Sequence, residues 1–513
     1  MPHTHHVKGN TMVTRNDVWK LGSGWNDNLL WYAKAVVELQ KKPILDRTSW
    51  RYLAAMHGFR RKLWLDSNVI AASDALPLTS ETDILWNQCQ HGSWYFLPWH
   101  RGYLAAFEAI VAKTISDNGG PKDWALPYWN YLDVTNPNAR HIPDAFLAPK
   151  LPDGTPNPLS NLPRGGVKII GPAPFYPRDI NLAAMTETEF TVKGGGANGF
   201  GGSTTTFSHR GSGTGALEAN PHNSVHVLVG GITSAGDAAG YLTDPDLAGL
   251  DPLFWLHHCN IDRLWSAWQA QPSSVGETSK VWVEGPADRK YAVPDATGVI
   301  SQFVARDTLK GGKFYPTYAE LSAGTGVAPT SPSIIALHQG GTVGATTRLL
   351  GANKNTISVG ASSASTTLTL EPANTAIAVS AMGPPAPDRD PAASRLFLKL
   401  ENIRGKSTAG VLDVYVNLPA GAEPWSHPEY RADCIALFGL ANATEEDGQH
   451  SGNGLSFTID ITDLARRLKR DGDFDPAQIR VLVIPAHGGS DERPITVDKI
   501  SLSEIRTEIQ PPN

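Results

Sequence analysis

The stretch Asp251-Pro-Leu-Phe-Trp-Leu-His-His-Cys-Asn-Ile-Asp-Arg-Leu-Trp-Ser-Ala-Trp268 constrains the fold more than any other, because it reads as a helix holding an imidazole in an apolar wall. Asp251 is placed to cap the first backbone amides, and Pro252 at the first helical position loses no hydrogen bond. Helical spacing puts Phe254, His258, Asp262 and Trp265 on one face, with Leu253, His257, Ile261 and Leu264 beside it. A lone buried histidine is more often a satisfied core residue than a ligand, so His258 needs companions.

The run Leu217-Glu-Ala-Asn-Pro-His-Asn-Ser-Val-His226 supplies them. Asn220 and Pro221 repeat the cap-then-proline opening, and His222 and His226 fall one helical turn apart, the spacing with which two imidazoles share a metal. The zinc-protease pattern H-E-x-x-H competes, but position 223 is Asn, so the general base of a zinc hydrolase is missing. His222, His226 and His258 make a three-nitrogen set suited to copper, zinc or iron. A second trio lies upstream: His57 on an amphipathic helix from Thr48 to Trp64, His91 on a loop, and His100 in the first turn of a helix expected over Pro98 to Ile115. Among 16 histidines, these six and His257 are the ones set in aromatic-rich, apolar surroundings, which favours two three-histidine sites.

These stretches resemble the copper-binding regions of tyrosinases and polyphenol oxidases, the type-3 copper proteins. The resemblance covers most of residues 13 to 320 and includes Val13-Thr-Arg-Asn, the His-x8-His run ending Pro98-Trp-His-Arg, Leu126-Pro-Tyr-Trp-Asn130 and the two histidine runs above. It implies that His57, His91 and His100 bind one copper and His222, His226 and His258 a second, with His257 outside the ligand set near the substrate entrance. Cys89 is similar in position to the cysteine that forms a thioether with the histidine two residues on, here His91. Phe254 matches a gate residue, and Val227 lines the same entrance. Glu218 and Asn223 match a pair proposed to hold a water that deprotonates an incoming phenol, and a carboxylate with an amide is a sensible general-base device. The function implied is hydroxylation of monophenols to o-diphenols and oxidation of these to o-quinones, with O2 as co-substrate and two copper ions sharing a two-electron exchange. A diphenol oxidase without monophenolase activity and a haemocyanin-like O2-binding protein are the alternatives.

A net charge of −6, from 44 basic and 50 acidic residues without a basic stripe, argues against nucleic acid and anionic membranes and leaves small phenols as the expected partners. Three cysteines, Cys89, Cys259 and Cys434, are too few for a disulfide framework. The first residues carry no signal-peptide pattern, and no run approaches the ~18 apolar residues of a membrane span. A cytoplasmic location follows as the expectation, unless a partner carries the chain out.

The expected architecture is a mainly α domain over residues 1–321, a four-helix bundle around the dicopper site to which Trp25 to Leu39 adds a helix, with long loops. Gly194 to Phe207 reads as a mobile rim too rich in glycine for regular structure, and His141 and His209 as surface. Residues 322–394 read as linker and first strands, including Thr366 to Leu370. Residues 395–513 read as an all-β sandwich or barrel, with alternating runs at 396–403, 411–418, 455–461, 479–484 and 495–502 and one helix over Thr462 to Arg470. This part resembles the C-terminal domain of latent polyphenol oxidases, which would cover the copper entrance, insert a side chain there and keep the enzyme latent until acid, detergent or proteolysis displaces it. The alternatives are a subunit contact, giving a homo-oligomer, or a carbohydrate-binding module.

Overall fold

The computed structural model describes residues 13–22, 24–160, 163–164, 179–192, 198–207, 213–234, 236–322, 342–383, 394–446 and 452–510. In the N-terminal part, α1 (Asp27–Lys41), α2 (Trp50–His57), α3 (Phe96–Asp117), α4 (Ser224–Gly230) and α5 (Pro252–Gln269) surround the histidines. Their starts follow the sequence: Asn26, Ser49 and Asp251 each accept a hydrogen bond from a first-turn amide, of Leu29, Tyr52 and Leu253 respectively. The helix bearing His100 begins at Phe96, two residues before the expected start. Asn220 is extended, as a helix entry requires, but its side chain bonds the Asp179 and Asn181 backbone instead of capping. A wide turn, Glu218–Asn223, therefore precedes α4, and His222 lies on that turn.

Tryptophans fill this core: Trp64, Trp99, Trp129, Trp255, Trp265, Trp268 and Trp282 are all fully buried, and Trp255 stacks on Phe107 at 3.5 Å. Asp262 of α5 meets the buried guanidiniums of Arg15 and Arg101, with Arg101 also lying 3.7 Å over the Trp265 ring. Buried charges are stable only when paired this closely, so the network fixes α3 against α5 and thereby His100 against His258.

The C-terminal part contains β1 (Thr342–Ala352), β2 (Ile357–Val359), β3 (Ala364–Thr369), α6 (Pro372–Ala381), β4 (Ser394–Arg404), β5 (Val411–Val416), β6 (Arg431–Ala436), α7 (Leu440–Thr444), β7 (Leu455–Asp460), α8 (Thr462–Asp471), β8 (Gln478–His487) and β9 (Ile495–Gln510). Two antiparallel sheets form, ordered β6-β5-β8-β3 and β7-β4-β9-β1, with β2 also pairing β9. Leu412, Val414 and Val416 of one sheet share a core with Leu396, Leu398 and Leu400 of the other, which makes the arrangement a sandwich. β5 is buried along its whole length, because Val411, Cys434 and Ala436 join the tryptophan-rich core of the N-terminal part. One sheet is thus buried on both faces where it meets the helical part.

Residues 342–383 hold first strands, β1 to β3, followed by α6. Of the glycine-rich tract, 194–197 lie outside the described residues, Asn198 to Gly202 are buried, with Phe200 stacked on Trp268 at 4.4 Å, and Ser203 to Phe207 are half-buried or exposed, so 198–202 are core and not a mobile rim. His141 is half-buried and His209 lies outside the described residues. No helix among the described residues is long and apolar enough to cross a membrane.

Candidate metal centre

The two histidine trios converge. The ligand-capable atoms of His57, His91 and His100 all lie within 4.8 Å of one another, and so do those of His222, His226, His257 and His258. The groups face each other, with His100 stacked on His258 at 4.6 Å and His91 5.7 Å from His222.

Four of the rings are aimed by the bond their Nδ1 makes, whereas His258 Nδ1 is buried without a hydrogen-bond partner. Nδ1 donates to the Pro245 carbonyl from His57 (2.8 Å), to Phe96 from His100 (2.8 Å), to Leu242 from His226 (2.7 Å) and to the Asn223 amide oxygen from His222 (2.9 Å). That fixes the tautomer and leaves Nε2 as a lone pair pointing inward. The loop that holds His57 approaches so closely that a Cβ on Gly58 would stand 2.6 Å from the Pro245 oxygen. Glycine there is required by proximity.

The donor set fits a metal. His222 Nε2 and His226 Nε2 stand 3.3 and 3.1 Å from His258 Nε2, close to the roughly 3.3 Å between two nitrogens that each bond one ion at about 2.0 Å in tetrahedral directions. His100 Nε2 is buried without a hydrogen-bond partner. Burial keeps the rings neutral: it lowers His100 and His226 to about 3, and with the neighbouring imidazoles it holds His222 and His258 well below the ordinary histidine range. Neutral imidazoles have no proton to lose before binding a cation.

His257 stacks on His222 at 5.4 Å, and its Nδ1 meets the Tyr131 hydroxyl at 3.1 Å. Phe254 is fully buried between His57 (4.9 Å) and His258 (4.1 Å), and Val227 is fully buried on α4. In this closed arrangement Phe254, Val227 and His257 wall the histidine cluster, with Phe254 packed on His258. The ring that lies over the histidines belongs to Phe438 of the β domain, stacked on His226 at 4.2 Å and edge-on to His91 and His222. Gly439, at φ 75°, turns the chain from β6 into α7 directly behind it.

Beneath Phe438 is a pocket of about 10 Å³, room for a single water, bounded by Glu218, Asn223, His91 and Gly92. Glu218 Oε1 accepts the Gly92 amide at 2.7 Å, while its buried Oε2 has no hydrogen-bond partner. Burial pushes this carboxyl up to about 8 against the lowering effect of the Gly92 and Gly215 amides. Cys89 Sγ stands 3.3 Å from His91 Nδ1.

Residues 47–271 match the common central domain of tyrosinase, and residues 346–504 match a domain of unknown function, DUF7868. Tyrosinase HcTyr1 of Hahella sp. (strain CCB-MM4) is 35% identical over 509 residues, spanning 96% of this chain and 100% of that one. The chain belongs to the tyrosinase family. The latent form of a chloroplastic polyphenol oxidase from Prunus armeniaca is 30% identical over 245 residues, 44% of this chain and 37% of that one. Among solved structures, latent apple tyrosinase superposes over 97% of this chain and 98% of its own with a TM-score of 0.60 at 19% identity, and supports the two-part fold. Tyrosinases are copper-dependent, and the two histidine clusters are where this tyrosinase can hold metal.

The six histidines singled out in the sequence are thus brought together, and Glu218 and Asn223 adjoin them. Sequence reasoning missed Phe438, Tyr131 and the Arg15, Arg101 and Asp262 network. The network was open to detection through Asp262, an acidic residue on the apolar face of α5 that demanded a cationic partner.

Proposed function

We propose that the chain is a latent phenol oxidase that binds two copper ions, hydroxylates small monophenols to o-diphenols and oxidises these to o-quinones with O2. The observation that carries the reading is the pair of facing imidazole trios with a carboxylate-lined one-water pocket at their edge, all closed over by Phe438. His57, His91 and His100 would hold one copper and His222, His226 and His258 the other; the pair, when bound, supplies the two-electron exchange with dioxygen.

The chain's own residues do the rest. Backbone carbonyls and Asn223 lock four of the six rings, which limits reorganisation. Asn223 Oδ1 is committed to His222, which leaves its amide nitrogen to hold a water beside Glu218, and the carboxylate takes the phenol proton through that water. This device favours monophenol hydroxylation over a purely diphenol-oxidising enzyme. Stacking of Phe438 on His226 occupies the space a phenol ring needs, so the enzyme stays latent until that ring leaves. Cys89 is placed to form the thioether with His91, which would hold the one ligand carried by a loop.

The test is a copper count with turnover of L-tyrosine, without added catechol, by the untreated chain and after the C-terminal part is displaced. Two coppers per chain and tyrosine turnover only after displacement support the reading. Catechol oxidation without tyrosine hydroxylation would reduce it to diphenol oxidation, and zero copper uptake would end it.

A further inference from the structure

Where the β sandwich meets the helical part lies a second cavity, of about 410 Å³, a size that suits a small ligand. The helical part walls it with Ala184, Glu187, Ala216, Ala219 and Asn220, and the sandwich with Arg395, Arg431, Asp433, Thr458 and Asp460. Most of the polar wall is already committed. Arg395 pairs with Asp460 at 2.6 Å and Glu187 at 3.3 Å, while Arg431 pairs with Asp413 and, at 2.6 Å, with Asp179. The Asn220 side chain bonds the backbone of Asp179 and Asn181. Two groups are left over. Asp433 accepts the Cys434 amide at 2.8 Å and forms no ion pair among the described residues, and Thr458 Oγ1 is buried without a hydrogen-bond partner. Burial pushes the Asp433 carboxyl up to about 6 against the Cys434 amide and Arg431, and Asp179 and Asp413 add to the rise.

Carboxylates outnumber guanidiniums in and just behind this wall, and each guanidinium is neutralised, so an anion would have to displace a carboxylate before it could bind. A calcium or magnesium ion takes six or more oxygens, more than one carboxylate and one hydroxyl supply. An ammonium group needs only a few acceptors for its three N–H donors, and the alanines offer an apolar surface to an alkyl chain. We propose that this cavity binds a primary alkylamine, its ammonium on Asp433 and Thr458 and its chain against Ala184, Ala216 and Ala219. Both parts of the chain build the cavity, so the amine binds the docked form and loses its site when the β domain is displaced. It therefore holds the enzyme closed by mass action: at ten times Kd the open population falls about elevenfold. This regulatory consequence rests on the latent-oxidase reading, whereas the binding site does not.

The test uses the full copper-loaded chain at a pH well above the Asp433 value. Calorimetry compares n-butylamine with 1-butanol, which lacks the charge, and with butyltrimethylammonium, which keeps the charge but has no N–H and cannot ligate copper. Butylamine should bind about tenfold or more tighter than butanol, with butyltrimethylammonium between them, because a hydrogen bond to a charged group contributes about 1.5–3 kcal/mol. Asp433→Asn, which keeps the shape, should abolish the preference for butylamine over butanol, and Thr458→Val should reduce it. Equal binding of butylamine and butanol by the unaltered chain, or a preference that survives Asp433→Asn in a chain with an unchanged melting temperature, overturns the site. Basal oxygen uptake with 4-methylcatechol is followed in parallel and should fall about elevenfold at ten times the butylamine Kd, in the untreated chain alone. Inhibition that persists after displacement of the C-terminal part, or in Asp433→Asn, would place the amine at the histidines and overturn the regulatory role. Binding that depends on Asp433 yet leaves basal uptake unchanged would count against closure by the β domain while upholding the site.

Discussion

Replacing Phe438 with alanine should unlock the untreated enzyme. Phe438 is 5% exposed and its largest contact is the stack on His226. Removing a buried phenylalanine ring from water-free surroundings forfeits about 1.5–3 kcal/mol of burial, and a well-formed aromatic pair adds about 0.5–1.5 kcal/mol. Taking roughly 3 kcal/mol, at 1.4 kcal/mol per factor of ten, the open population rises on the order of a hundredfold until opening is no longer limiting. The β domain should stay attached, because Arg431–Asp179 (2.6 Å), Asn442–Asp246 (2.8 Å) and Arg493–Asp237 (2.8 Å) are untouched. The assay is oxygen uptake with 4-methylcatechol by the untreated chain, expressed as a fraction of the rate after full displacement, with copper content matched. Phe457→Ala is the control, since that ring is buried in the sandwich core away from the histidines. An unchanged fraction in Phe438→Ala, or an equal rise in Phe457→Ala, would refute a specific plug.

Glu218→Gln should cut monophenol hydroxylation by about 10²–10⁴ while sparing diphenol oxidation more, the span typical of a lost general base. Because burial raises the carboxyl to about 8, its base form disappears as pH falls, so kcat/KM for a monophenol should rise with pH toward that value; bound coppers, being positive, pull the midpoint lower. A profile identical in Glu218→Gln would count against the assignment. Arg431→Ala strands Asp413, 1% exposed, without its guanidinium, and loss of one partner from a buried pair costs about 3–5 kcal/mol; a lower melting temperature together with raised basal turnover is expected, and a change in neither would contradict the contact. Intact-protein mass after copper loading in air should fall by two hydrogens, and Cys89→Ala should abolish that change; an unchanged mass in the native chain would dismiss the thioether.

The histidine clusters were legible because their members sit in local patterns with a physical cause. Asp251-Pro252 opens a helix, which sets the phase of His258, and the spacing of His222 and His226 survives even though the wide turn at Glu218–Asn223 delays α4. The β runs were legible by alternation, apart from β1, whose Gly344 and threonines weaken the pattern, β2, only three residues long, and β6, where Arg431 and Asp433 interrupt it. Those two residues break the alternation because they serve the domain boundary: Arg431 reaches Asp179 and Asp413.

Phe438 shows where such reading stops. Leu437-Phe438-Gly439-Leu440 is an ordinary strand-to-helix turn by composition, and nothing in its spacing marks a ring that will lie on His226. Its position follows from β5, buried on both faces, which can only occur if the sheet lies flat against the tryptophan-rich core. Once β6 is held there by Arg431 and the chain turns at Gly439, Phe438 falls over the imidazoles and Glu445 over Arg60. Closure of the site is therefore a property of how the two parts dock, and changes at the docking face should alter basal turnover more than changes in either core of equal cost to stability.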